Sequence, residues 1–141
     1  MSRIWYWDIE DMHAKYGVHD WVKKTVEAED KEKLKKFLEF RIKFLEEELN
    51  ETKKAVEEGN AEEIVDGLID LCVVAIGTLD AFEINQQLAW SNVHEANMNK
   101  VVGVKESRPN PLGLPDLVKP EGWVAPSHKT NHGLLGYLYG E

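Results

Sequence analysis

Apolar positions recur at helical spacing over most of residues 9–100, and the polar positions between them mark where each helix starts and stops. A first short helix over 9–16 ends at Gly17. Residues 17–30 read as a connection or a short helical piece around Trp21 and Val22. A long helix follows over 30–58, with Asp30 as N-cap and Gly59-Asn60 as stop. Leu38, Ile42, Leu45, Leu49 and Val56 form an apolar stripe along it. The next helix, over 61–82, is apolar on nearly all sides between Ile64 and Ile76. Such a helix has to be buried, and in so small a chain a subunit interface is the expected cover. A further helix over 85–100 is expected to turn Leu88, Val93 and Ala96 inward. All five prolines (Pro109, Pro111, Pro115, Pro120 and Pro126) come later, so 107–141 should be loop and extended chain. The pattern predicts an all-α, antiparallel helical bundle over 1–106. An irregular Pro-rich C-terminal tail over 107–141 should pack on the same domain or on a neighbouring subunit.

Composition narrows the function classes. The chain has 141 residues, 43% of them hydrophobic, which suits one domain with a real core. Its formal charge of −9 repels phosphate backbones and anionic membrane surfaces, and no stripe of Lys and Arg offsets this, so neither nucleic acid nor membrane is expected as a partner. The single cysteine, Cys72, lies in an apolar run, which excludes a disulfide framework and a cysteine-based zinc site. The N-terminal residues Met1-Ser2-Arg3-Ile4-Trp5 lack a leader pattern, and no apolar segment reaches the ~18 residues that span a bilayer. The expectation is a cytoplasmic protein, in the host cytoplasm if the chain is phage-encoded.

The acidity is concentrated. Fifteen acidic and eight basic residues lie between Glu27 and Asp70. Glu46-Glu47-Glu48-Leu49-Asn50-Glu51 reads most simply as a solvated face. At about 100° per residue, however, Glu48 and Glu51 fall some 80° to 140° away from the Leu38 stripe, on a line with Phe37, Arg41, Phe44 and Ala55. Half-buried carboxylates three residues apart are costly unless something positive satisfies them. On the following helix Glu63, Asp66 and Asp70 share a face. Glu63 can be an ordinary helix-start residue near the positive end of the dipole, but Asp70 is followed by a long uncharged stretch. Two helices with paired carboxylates suit a hard, oxygen-seeking cation such as Mg²⁺, which keeps waters for a substrate phosphate.

These residues carry a resemblance. Met12-His13-Ala14-Lys15-Tyr16-Gly17 is similar to an "FHxxfG" opening helix, and Arg41 to Glu51 contains an EExxE core with Ala55 after it. Asp66-Gly67-Leu68-Ile69-Asp70-Leu71 with Ile76-Gly77-Thr78 resembles a second acidic helix. His94-Glu95-Ala96-Asn97-Met98-Asn99-Lys100 resembles "VHxANMxK", and Lys119-Pro120-Glu121-Gly122-Trp123 through Pro126 resembles "K-P-x-W-x-x-P". In this order the segments look like the all-α nucleoside triphosphate pyrophosphohydrolases: the MazG group and its phosphoribosyl-ATP pyrophosphohydrolase-like relatives, most of all the small phage-type members. The resemblance implies Mg²⁺-dependent hydrolysis of a nucleoside triphosphate, ribo or deoxy, to the monophosphate and pyrophosphate, in nucleotide-pool control, with Mn²⁺ as a substitute metal. It implies Glu48, Glu51 and Asp70 as metal ligands, with Asp66 standing in for a family Glu whose place is Gly67. Glu47 and Glu48 become the catalytic acidic pair, and a homo-oligomer, dimer or tetramer, is implied. Lys100 and Asn97 on one helical face, with Arg41 and Lys119, are the candidate substrate-binding residues.

The bland readings stand beside these. Lys100 can be an ordinary C-terminal lysine, Trp123 can simply pin the tail, Arg41 can partner a carboxylate, and His13 and His94 can be hydrogen-bonded core histidines. Phosphoribosyl-ATP or a guanosine tetraphosphate alarmone are alternative substrates, and a non-enzymatic acidic helical interaction protein is the alternative of another class. Glu10-Asp11-Met12-His13 has the E-x-x-H form of a di-iron bundle, but such a site needs two, and Ser91 stands three residues before His94. No GxxxxGK[ST] phosphate loop occurs.

Overall fold

The computed structural model describes residues 4–107, 112–113 and 116–140. Pro109, Pro111 and Pro115 of the expected irregular stretch lie outside the described residues, as do Met1, Ser2 and Arg3. The described chain forms helices α1 (Trp5–Lys15), α2 (Val18–Glu27), α3 (Lys31–Glu58), α4 (Ala61–Ala81), α5 (Gln86–Met98) and α6 (Leu134–Tyr139). Two short strands, β1 (Val101–Gly103) and β2 (Asp116–Val118), pair antiparallel with Val101 opposite Val118. The architecture is an all-α bundle with a minimal hairpin, as the hydrophobic pattern predicts. No helix among the described residues is long and apolar enough to cross a membrane.

The ends of the two long helices are set by local chemistry. Asp30 caps α3 by accepting from the Lys33 amide at 3.1 Å, and Gly59 stops it with a φ of 65°. Asn60 then caps α4 by accepting from the Glu63 amide at 3.2 Å. The chain therefore reverses within two residues, and α3 and α4 run side by side as an antiparallel hairpin.

The Cα positions divide into two compact units. One holds the residues up to Gln86 and those from His132, and the other holds Gln87–Asn131. The core of the first is Val22, Leu34, Ala81, Phe82, Leu134 and Leu138, contributed by α2, the start of α3, the end of α4 and α6. Phe37 stacks on Phe82 at a centroid distance of 5.7 Å, and Trp21 packs on Phe37 at 4.9 Å. In the second unit, the Trp123 indole donates to the Ala96 carbonyl of α5 at 2.7 Å, and the Asn92 amide donates to the Ser127 carbonyl at 3.0 Å. These two bonds tie the Pro-rich segment to α5.

Several local expectations change. α1 begins four residues earlier than its apolar period suggests, and of the two readings of 17–30 the helical one holds, as α2 around Trp21 and Val22. The stretch after residue 131, expected as loop, forms α6, because no proline follows Pro126 and Leu134 and Leu138, one turn apart, both insert into the core. Gly133, at a φ of 54°, brings that helix against α4: the Leu134 amide donates to the Phe82 carbonyl at 2.8 Å, and a Cβ on Gly133 would lie 2.1 Å from the same oxygen.

The larger correction concerns which face of α3 is internal. Ile42, Leu49 and Val56 of the expected stripe are exposed, while Leu34, Thr52 and Ala55 are buried. The helix turns its small residues toward α4, because these let the backbones approach, and leaves large aliphatic ones outside. On α4, likewise, Gly67, Val74, Gly77 and Ala81 are buried and Val65, Leu68 and Ile69 are exposed. On α5, Leu88 and Val93 are exposed rather than inward, and Ala96, which accepts the Trp123 bond, is buried.

Leu34 is 0% exposed at the centre of the first unit's core. Leu34→Ala should lower unfolding free energy by about 2–5 kcal/mol, read as a lower urea midpoint at unchanged slope. A loss below about 1 kcal/mol would place the core elsewhere.

Candidate active site

The site begins with the seam between α3 and α4. Thr52 on α3 meets Gly67 on α4 so closely that a Cβ on Gly67 would sit 2.2 Å from Thr52 Oγ1. Thr52 Oγ1 donates to the Glu48 carbonyl at 2.8 Å, which turns the hydroxyl back onto its own helix. Toward the core, Arg41 Nε donates to Thr78 Oγ1 at 3.0 Å and its Nη2 to the Val74 carbonyl at 2.9 Å. These contacts fix one register, in which Glu48 lies across the seam from Asp70.

The carboxylates of the two helices act on one another as that register requires. Glu48 and Asp70 are half-buried, whereas Glu47, Glu51 and Asp66 are exposed. Partial burial is the first cause holding the Glu48 carboxyl above its ordinary pKa, followed by the negative charges of Asp70, Glu51, Asp66 and Glu47. Asp70 is raised too, first by desolvation, then by the Asp66 charge and a hydrogen bond with the Asp66 side chain. Among the described residues no Lys or Arg forms an ion pair with Glu48, Glu51, Asp66 or Asp70. The structure thus gathers Glu47, Glu48, Glu51, Asp66 and Asp70 into one patch of uncompensated negative charge. Gly67 cannot carry an acidic side chain at this seam, and Asp66 beside it joins the patch instead. Glu63, one turn before Asp66 on the same helical face, is exposed.

The other expected residues fall elsewhere. Arg41 is held by α4 rather than by Glu48; burial lowers its pKa, while the nearby Asp80 charge works in the opposite direction. In the second unit, Lys100 and Lys119 both stand over the Trp123 ring, at 5.5 and 5.0 Å from its centroid. Asn97 is exposed on α5. A groove of about 250 Å³ in this unit is lined by Asn92, Glu95, Ala96, Asn99 and Val124 to Ser127. Two cations at one ring make an anion-attracting feature there, and Trp123 is pinned to α5 through its indole.

One cluster is absent from the sequence reading. Asp80 Oδ2 accepts from His13 Nδ1 at 2.6 Å and lies 2.8 Å from His19 Nε2. His13, His19 and Asp80 are the group, among the described residues, whose ligating atoms all lie within 4.8 Å of one another, so it has the geometry to hold a metal ion. The available signal was Asp80 itself, a lone charge in Thr78-Leu79-Asp80-Ala81-Phe82.

The family model for phosphoribosyl-ATP pyrophosphohydrolase matches residues 17–97, which take in α2, α3, α4 and most of α5, and the chain belongs to that family. The family lies within the MazG-like all-α NTP pyrophosphohydrolase superfamily. No curated protein matches the chain.

The raised pKa values have a consequence for stability. In the folded, metal-free chain Glu48 and Asp70 hold protons to higher pH than in the unfolded chain, so this contribution to stability falls as pH rises through the raised values. Asp70→Asn removes one of the repelling charges. In chelator, the variant should melt a few degrees above the unsubstituted protein at neutral pH, and the gap should close as pH drops into the ordinary carboxylate range. A variant that melts lower at neutral pH would show that the carboxylates do not repel in the folded state.

Proposed function

We propose, from membership of the phosphoribosyl-ATP pyrophosphohydrolase family and the carboxylates facing across α3 and α4, that this chain cleaves the α–β anhydride of a nucleotide 5′-triphosphate and releases pyrophosphate with a divalent cation. The observation that carries the reading is the raised pair Glu48 and Asp70, a patch of negative charge that no basic side chain among the described residues neutralises. A donor set made only of carboxylate oxygens fits Mg²⁺, with Mn²⁺ as a substitute. Glu48, Glu51, Asp66 and Asp70 would hold it, with Glu63 within reach of the same face. When bound, such an ion neutralises the phosphates and stabilises charge on the leaving pyrophosphate.

The chain's own groups supply the rest. Glu47, next to Glu48 and within its electrostatic reach, takes the proton of the attacking water. In the second unit, Lys100 and Lys119 at the Trp123 ring, with Asn97, are the candidate phosphate-binding groups. Arg41 keeps the two acidic helices in register through Thr78 and Val74.

Nucleoside and deoxynucleoside triphosphates and phosphoribosyl-ATP all present this triphosphate; nucleotide-pool control favours the first group, and the family match favours the last. The partner we propose for the exposed apolar residues Leu49, Val56, Val65, Leu68, Ile69 and Leu79 is a second copy of the chain.

The test is a panel of NTPs, dNTPs, phosphoribosyl-ATP and guanosine tetraphosphate incubated with the protein and Mg²⁺, with pyrophosphate counted against orthophosphate. Pyrophosphate with the matching monophosphate is expected from at least one of the triphosphates. Orthophosphate alone, or no product, would sink the reaction. Glu48→Gln and Asp70→Asn should each reduce the rate by roughly 10²–10³-fold with the helical circular dichroism kept, as for loss of a preorganised electrostatic group. Lys100→Ala should raise KM by about tenfold at similar kcat, the size of one charge-assisted hydrogen bond. Light scattering on Leu68→Glu should show a smaller assembly than the unsubstituted chain; identical masses would assign that face another role.

A further inference from the structure

His13, His19 and Asp80 come from α1, α2 and α4, so only the tertiary fold brings them together. Gly17, at a φ of 81°, makes the corner between α1 and α2 and leaves the two imidazoles 5.9 Å apart and nearly perpendicular, at 85°. His13 Nδ1 and His19 Nε2 both address the same oxygen, Asp80 Oδ2. The His13 and Asp80 side chains are 5% and 8% exposed, whereas His19 is 43% exposed. The arrangement is closed on the helix side and open on one. Gly77 supplies the room: a Cβ there would lie 3.2 Å from His13 Cε1 and Nε2 and 2.5 Å from Arg41 Nη2.

We infer that His13, His19 and Asp80 form a binding site for a borderline transition-metal cation, such as Zn²⁺ or Co²⁺, separate from the carboxylates of Glu48 and Asp70. The donor set decides the class of metal. Two imidazole nitrogens and one carboxylate oxygen suit Zn²⁺, Co²⁺ or Fe²⁺, whereas Mg²⁺ prefers oxygen alone. Three protein ligands with an open side leave a position for water. Binding exchanges the two contacts on Asp80 for metal bonds and moves the ring protons to His13 Nε2 and His19 Nδ1. In a tetrahedral site with bonds of about 2.0–2.1 Å the donors stand about 3.3 Å apart, so the present 2.6 and 2.8 Å have to widen by about 0.5–0.7 Å. Arg41 lies within electrostatic reach of Asp80.

This inference does not rest on the pyrophosphohydrolase reading, and its test separates the two. The full chain, freed of metal, is titrated with Co²⁺ while the visible d–d absorption is followed. One equivalent should produce the intense band of a low-coordinate Co²⁺ site, and Zn²⁺ should displace it. The band should persist in the Glu48→Gln/Asp70→Asn double variant and vanish in His19→Ala. The exposed His19 ring can be truncated without opening the core, and unchanged helical circular dichroism checks this. Zn²⁺ should likewise raise the melting temperature of the double variant, and leave unmoved that of the double variant that also carries His19→Ala. Absence of the band, its survival in His19→Ala, or its loss in the double variant would each overturn the proposal and leave the cluster as a hydrogen-bonded clasp between three helices.

Discussion

Gly67 meets Thr52 with no room for a Cβ, and most of what distinguishes this molecule depends on that approach. Two helices that touch through a glycine and a threonine lie closer than helices meeting through leucines. Their register is then fixed by the Arg41 bonds to Thr78 and Val74, since an arginine that satisfies a buried carbonyl and a hydroxyl together cannot slide by a turn without losing both. In that register Glu48 faces Asp70. The acidic patch is therefore a product of the seam: the same contact that bars a side chain at Gly67 draws Asp66 and Asp70 toward Glu48.

The seam also explains the distribution of apolar surface. With small residues turned inward, the larger ones on α3 and α4 have nowhere to go within a single chain. Leu49, Val56, Leu68 and Ile69 remain exposed, while a compact core forms at the far end of the hairpin around Leu34 and Phe82. Leu34 and Glu48 are fourteen residues apart on one helix, about 21 Å at 1.5 Å per residue. The carboxylates repel one another well away from the side chains that stabilise the fold, so a region of unfavourable electrostatics coexists with an ordered core.

Local chemistry was legible in the sequence, and pairwise geometry was not. Asp30, Gly59 and Asn60 announce the ends of α3 and α4, because a cap depends only on residues three or four positions away. Glu48 and Glu51 were separable from Glu46 by helical angle alone, and Asp70 stood out as a charge in an apolar run. The inward face of α3 could not be read in the same way. Hydrophobicity ranks Ile42 and Leu49 above Thr52 and Ala55, but the closeness of packing depends on what α4 presents, namely Gly67 and Gly77. Leu88 and Val93 show the same failure on α5, where the buried position is the small Ala96. The Asp80 cluster was hidden for a stronger reason: its histidines lie 67 and 61 positions away in sequence, so no local spacing links them.

Along α4 the acidic positions divide into two chemical environments. Asp66 and Asp70, near its start, are surrounded by other carboxylates and have no basic ion-pair partner among the described residues. Asp80, three turns further on, meets imidazoles and lies within reach of Arg41. One helix thus presents an oxygen-only donor set near its start and a mixed nitrogen and oxygen set around Asp80. The Arg41 guanidinium lies between them on the seam, its bonds to Val74 and Thr78 falling in the interval from Asp70 to Asp80. It satisfies the buried backbone there and places a positive charge on the Asp80 side. Because a positive charge beside Glu48 would cancel the negative potential that attracts a cation, binding Arg41 to α4 rather than to the acidic patch leaves that potential intact.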